Sequence, residues 1–229
     1  MKPLDYAPDN SPGVGKMKKE HPIEALIAQG EHQQLDFKFE VSDSKKIART
    51  LSAFANTDGG RLLIGVKDNG RITGIQGDEE YYMIEAASAL YTKPQVSFTA
   101  TRWVVNGKNV LEIYIAPGTD KPYLAPGKEN KFKAYIRVAD ENKPANEVLL
   151  LSWKKQENPE GVLLKISKPV ERLLHYLEHH PSIRIHQFCN MAHISYFTAR
   201  NILSDLMAIG SLRYVVKNNL IEYEKIQQE

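Results

Sequence analysis

Apolar and polar residues alternate from Gln34 to Val41: Leu35, Phe37, Phe39 and Val41 are interleaved with Gln34, Asp36, Lys38 and Glu40. A two-residue period sends the two sets to opposite faces, which predicts a strand with one buried and one solvated face. Upstream, Pro22 suits the first turn of a short helix over 23–29, and Gly30 can end it in a left-handed cap. Downstream, Ser44 is placed to cap a helix whose Ile47, Leu51 and Phe54 recur at helical spacing. Asn56-Thr57-Asp58-Gly59-Gly60 then turns the chain into a strand over 62–66. Asp68-Asn69-Gly70 signals a turn to a partner strand over 72–75, and 78–90 reads as a helix with an acidic first turn. Asn106-Gly107 joins strands over 96–105 and 110–115, and one more strand is expected over 132–138. Strands and helices mix without the regular alternation of a doubly wound sheet, so the fold class expected is α+β.

The pattern changes along the chain. Residues 1–21 hold three prolines ahead of Pro22 and no periodic apolar signal, which reads as a flexible tail. Its Gly13-Val14-Gly15-Lys16-Met17 is not a phosphate loop, because no strand precedes it and Met17 stands where a magnesium-ligating Ser or Thr is needed. The mixed domain is expected over 22–156. Glu157-Asn158-Pro159-Glu160-Gly161 marks a linker over 157–165, and a second domain follows over 166–229. There, helices over 169–179, 186–192 and 196–209, the last capped by Ser195, precede a hairpin over 212–216 and 220–223. Three helices followed by a two-stranded wing is the order of a winged helix-turn-helix domain.

Composition narrows the function classes. The 229 residues carry 30 Lys and Arg against 28 Asp and Glu, a net charge of +2, so any nucleic-acid contact must come from a local patch. No apolar run is long enough to span a bilayer, which argues against a membrane protein. The N-terminus has no apolar segment of the signal-peptide kind, and the single cysteine, Cys189, excludes an intramolecular disulfide; a cytoplasmic setting follows as the expectation.

In the C-terminal domain, Ala199, Leu203, Leu206 and Ile209 form the expected buried stripe of the third helix. That leaves Tyr196, Phe197, Arg200, Asn201 and Ser204 nearer its other face as candidate DNA-binding residues, with Arg213 and Lys217 of the wing for the flanking backbone. Arg and Asn match guanine and adenine edges, and Ser, Tyr and Lys match phosphate. The same fold also serves protein docking and dimerisation, so a homodimerising module stays open as an alternative. Five of the seven histidines lie here, and His175 and His179 are four apart on one expected helix. HExxH is absent and no carboxylate or cysteine completes a set in the sequence pattern, so these histidines read as surface or packing residues.

Three segments carry a family resemblance: Glu31-His32-Gln33-Gln34-Leu35-Asp36-Phe37-Lys38, the block from Ala53 to Gly70 spelling AFANTDGGRLLIGVKDNG, and Ala134-Tyr135-Ile136-Arg137-Val138. Together, over about residues 22–145, they resemble the Schlafen-type AlbA domain, which implies DNA binding, often with a C-terminal helix-turn-helix. The resemblance also carries an enzymatic alternative. In nuclease members, three carboxylates cleave RNA with a divalent metal, and the matching positions are Glu31, Asp36 and Asp68. Asp36 is one methylene shorter than the usual Glu. Lys38 would steady developing charge, with Mg²⁺ or Mn²⁺ on the carboxylates. On the residues alone, Asp36, Lys38 and Glu40 also fit a solvated strand face, and Asp68 a turn. The glycine pair reads first as a helix-to-strand turn, and nothing in the sequence supports ATP binding. The leading expectation is a DNA-binding transcriptional regulator without a cofactor; the metal-dependent endoribonuclease acting on RNA is the alternative.

Overall fold

The computed structural model describes residues 21–226 and the backbone of a two-residue strand at Asp5–Tyr6. The chain divides into two compact units, Met1–Pro144 and Ala145–Glu229.

The first unit is built on a five-stranded sheet of order β1-β4-β5-β3-β2. Its strands are β1 (Asp5–Tyr6), β2 (Leu35–Lys38), β3 (Gly60–Ile64), β4 (Thr99–Val105) and β5 (Lys108–Ile115). β1 pairs parallel with β4, and β2 parallel with β3, while β3, β4 and β5 pair antiparallel. So Asp5 and Tyr6 of the expected flexible tail are strand backbone, and residues 1–4 and 7–20 of that tail, including 13–17, lie outside the described residues. Helix α1 (Pro22–Ile27) contributes Ile23 to a cluster with Leu35, Phe37, Leu63, Val66, Val105 and Val110. Helices α2 (Ser44–Asn56) and α3 (Glu79–Tyr91) belong to a second cluster, with Leu51, Phe54, Leu62, Ile64, Ile84 and Ile113 among its buried residues. A second sheet, β6 (Leu124–Pro126), β7 (Phe132–Val138) and β8 (Glu141–Pro144), is antiparallel, and α2 packs against β7.

Local chemistry accounts for several differences from the sequence pattern. Asp43, not Ser44, caps α2: its Oδ1 accepts the N–H groups of Lys45 at 2.8 Å and Lys46 at 3.3 Å. The stretch over 72–75 makes only single bridges, Ile72 to Val66 and Ile75 to Asn109, rather than a partner strand. The alternating run stops being a strand at Lys38; on the face expected to be solvated Asp36 is buried at 3% exposure while Gln34 and Glu40 are exposed, and Phe39, expected inside, is 47% exposed.

In the second unit, α5 (Lys168–His179), α6 (Ile185–Ala192) and α7 (Tyr196–Ala208) precede a hairpin of β9 (Leu212–Lys217) and β10 (Leu220–Lys225). Ser195 caps α7 by accepting the N–H of Thr198, and Asn218 and Asn219, at φ of 49° and 60°, make the tight turn of the hairpin. A further helix, α4 (Glu147–Gln156), falls where the sequence reading placed the end of the first domain. It packs on α7, and its Val148 is buried in one core with Leu173, Leu177, Phe188, Leu203 and Tyr223. Asn146 caps α4 through the N–H of Leu149 and donates to the Tyr223 hydroxyl at 3.0 Å. The division therefore falls at 144/145 rather than at 157–165. Among the described residues no helix is long and apolar enough to cross a membrane.

Candidate functional site

The three carboxylates picked out in the first unit have three different surroundings. Asp36 sits on β2 with Oδ1 3.0 Å from Arg137 Nη2 and Oδ2 3.0 Å from Lys38 Nζ. Arg137 is 1% exposed. Its Nη1 donates to Asn142 Oδ1 at 3.1 Å and Nη2 also to the carbonyl of Leu35 at 3.4 Å, Nε is buried without a partner, and the guanidinium lies 5.2 Å from the centre of the Phe54 ring. Lys38 also donates to the carbonyl of Phe37 at 2.7 Å. Glu31 precedes the strand and accepts the N–H of Phe37 on Oε1 at 2.8 Å. Burial pushes the Glu31 carboxyl above its ordinary value; the Phe37 N–H opposes this, and neighbouring Asp36 adds to it through a hydrogen bond and charge. Asp68 is exposed in the turn after β3.

Glu31 and Asp36 are thus brought together, but Asp68 does not join them: the three do not offer ligand atoms within 4.8 Å of one another. Each oxygen of Asp36 already faces a cation, so a divalent ion there would have to displace Arg137 or Lys38. As placed, Glu31, Asp36 and Asp68 do not make up a three-carboxylate set of the kind the nuclease resemblance implies. Nor does the neighbouring cleft concentrate positive charge. It has a volume of about 440 Å³, and its cations Lys38, Lys46 and Arg49 are matched by Glu40, Asp43 and Glu141.

Arg137 and Asn56 are the residues whose importance the pattern did not reveal. Asn56 is buried and fully bonded: Nδ2 donates to the carbonyls of Tyr123 at 2.7 Å and Tyr135 at 2.8 Å, and Oδ1 accepts the N–H of Tyr123 at 2.8 Å. Thr57 hands its hydroxyl proton to the carbonyl of Ala53 and accepts the Arg137 N–H at 2.9 Å. A Cβ on Gly60 would lie 2.4 Å from the Phe54 ring, and Gly59 holds φ at 70°. The Asn-Thr-Asp-Gly-Gly block therefore ties α2 to β7 and lets the chain pass under a core aromatic ring, in keeping with its reading as a turn.

In the second unit the candidate nucleic-acid residues separate into two groups. Tyr196, 42% exposed, and Phe197, 62% exposed, stand open in the first turn of α7, whereas no residue over 199–208 is exposed. Ser204 is fully buried, donating to the carbonyl of Asn201 and accepting from Lys155 Nζ of α4 at 2.8 Å. The half-buried Asn201 gives its carbonyl to the same lysine, and Asp205 pairs with it at 2.6 Å. Arg200 is turned to Glu147 of α4 at 2.9 Å and lies over the Phe197 ring. These positions were expected on an open face because α4 was not anticipated, and α4 covers that face. On the hairpin, Arg213 pairs with Glu224 at 2.7 Å, and Lys217 donates to the Ser182 hydroxyl at 2.8 Å.

No curated protein matches the chain. Among the solved structures it is similar to are the following two. The DIP2311 protein of Corynebacterium diphtheriae is 18% identical, with 68% of this chain and 38% of that chain covered and a TM-score of 0.43. The N-terminal domain of a RecG-related protein of Nitrosomonas europaea, named for an ATP-dependent DNA helicase, is 23% identical, with 55% and 94% covered and a TM-score of 0.41. This chain thus spans well under half of the DIP2311 chain. The family model described as Schlafen, AlbA_2 matches residues 31–146, from Glu31 through β8 to the cap of α4, and the chain belongs to that family.

Proposed function

We propose that the chain is a nucleic-acid-binding protein that acts on DNA as a transcriptional regulator, with the second unit as a winged helix-turn-helix. The observation that carries this reading is the exposed first turn of α7. Tyr196 and Phe197 project from it after Ser195, at a helix end whose free N–H groups favour a phosphate oxygen. The order of α5, α6, α7 and hairpin supports it, as does the exposure of Arg213 on the hairpin. The contact set is then Tyr196, Phe197, Arg213 and Lys217, while Arg200, Asn201 and Ser204 hold α7 to α4.

The test is fluorescence anisotropy of the full chain with duplex DNA at several salt concentrations. Tyr196→Ala and Phe197→Ala are expected to weaken binding by ~1–3 kcal/mol where they touch bases. Arg213→Ala and Lys217→Ala each lower the salt slope by about 1. Binding that is unaffected by all four variants would move the contact surface elsewhere. Mn²⁺-dependent RNA cleavage by the parent, lost in Asp68→Asn, would replace the reading by the endoribonuclease one.

A further inference from the structure

Helix α5 puts its apolar residues Val170, Leu173 and Leu177 inward. The opposite face of its C-terminal half carries His175, Glu178 and His179, all exposed. The i, i+3, i+4 spacing places them over one another on one face. One ligand atom from each lies within 4.8 Å of the other two, and among the described residues no other group of three His, Cys, Asp or Glu does so. His175 Nδ1 is 3.2 Å from Glu178 Oε2, and the rings of His175 and His179 stand nearly perpendicular with centres 5.2 Å apart. We infer that His175, Glu178 and His179 form a binding site for a divalent transition-metal ion such as Zn²⁺.

The geometry needs little adjustment. Donors ~2.1 Å from a tetrahedral ion are about 3.4 Å from one another. The separations present therefore close by small rotations of side chains that are free in solvent. Glu178 supplies the third donor: it lies between the two histidines on the helix, one residue before His179. Two imidazoles and one carboxylate suit Zn²⁺, Ni²⁺ or Co²⁺ better than Mg²⁺ or Ca²⁺, which take oxygen ligands. The negative partial charge of the helix C-terminus lies near Glu178 and His179 and favours a bound cation. Three protein ligands leave a fourth position for water.

Two other histidines of this unit are differently engaged. His180 is stacked on Tyr176 at 3.9 Å with its Nδ1 against the Tyr176 carbonyl, and His186 faces the Tyr196 ring at 5.8 Å. Neither belongs to the set, so both serve as controls. Because the three ligands are exposed, their replacement leaves the core of the unit untouched.

The experiment is calorimetric titration of the full chain, free of any polyhistidine tag, with ZnCl₂, alongside Co²⁺ titration read by visible absorption. One ion per chain is expected. His175→Asn and His179→Asn should each weaken binding on the order of tenfold or more, and Glu178→Gln by a smaller factor. His180→Asn and His186→Asn should bind as the parent does, and circular dichroism checks that each variant is folded. Three results overturn the site: no saturable binding by the parent, undiminished binding by the His175→Asn/His179→Asn double variant, or equal losses in the His186→Asn control.

Discussion

Removing the charge of Asp36 tests whether this residue is a support or a ligand. Asp36 and Arg137 are 3% and 1% exposed and 3.0 Å apart, so deleting either charge leaves the other buried. Breaking such a pair costs about 3–5 kcal/mol. Lys38 shares the carboxylate but is 38% exposed and can turn to water, so its own contribution is at most about 1 kcal/mol. Asp36→Asn and Arg137→Met should therefore each cost roughly 3–5 kcal/mol, and Lys38→Met no more than about 1 kcal/mol. The double variant Asp36→Asn/Arg137→Met should cost less than the sum of the singles by up to about 3 kcal/mol, because neither charge remains to be stranded.

The assay is urea unfolding of the full chain with hydrogen exchange measured on peptides from Leu35–Lys38 and Phe132–Val138, which isolates the first unit. With m of ~1–3 kcal/mol/M, each single variant lowers the midpoint by 1 M or more. A loss below ~1 kcal/mol in Asp36→Asn, or strict additivity in the double variant, would refute the reasoning. The outcome also governs how activity data are read. If Asp36→Asn loosens the first unit, loss of any activity in that variant alone does not make Asp36 a metal ligand.

Three further expectations follow from the structure. Glu31→Gln keeps an acceptor for the Phe37 N–H and removes a carboxylate whose folded value is raised above 4.5; the folded form therefore binds the extra proton, and charging Glu31 disfavours it as pH rises. The variant should match the parent below the ordinary carboxylate value and gain on it toward neutral pH, as thermal melts from pH 4 to 7 would show. Gly60→Ala should lower stability by ~1–3 kcal/mol through the clash with Phe54, since both lie in the packed interior. A chain beginning at residue 145 should fold by circular dichroism, whereas one beginning at 166 lacks the buried Val148 and the α4 cover of α7 and should not.

The parts of the fold legible in sequence were those with local causes. The Asn106-Gly107 turn, the Ser195 cap, the Gly210 stop at φ of 73° and the apolar stripes of α2 and α5 all follow from the chemistry of a few neighbouring residues. What remained hidden depends on residues far apart in the chain. Asp36 looks like half of a polar strand face until Arg137, 101 residues later, comes to lie over it on β7. Helix α4 has a signal of its own, a capping Asn146 followed by Val148, Leu149, Ser152 and Trp153, all buried. Its effect on α7 does not, because no pattern within α7 says that Lys155 will occupy Ser204. The metal candidate was half legible for the opposite reason. The histidine spacing is local, but a carboxylate three residues along a helix counts as a partner only once the side chains are placed.

The same long-range contacts explain why a family signature and a chemical site need not coincide. Asn56 fixes the lead into β6 and the middle of β7, Thr57 holds the Arg137 backbone, Gly60 admits Phe54, and Arg137 neutralises Asp36. Asn56, Thr57, Gly60 and Arg137 are buried and engaged within the first unit, although Arg137 Nε and Asp36 Oδ2 make no hydrogen bond, while Asp58, Arg61 and Asp68 of the same block are exposed. In the second unit, Tyr196 and Phe197 on α7 and the histidines of α5 are exposed outside the motif. A family member could keep the whole motif, and hence the fold, while its function is set by residues outside it. Substitutions in the motif should accordingly change stability first, and substitutions at Tyr196, Phe197, His175 or His179 should change binding with the melting temperature left in place.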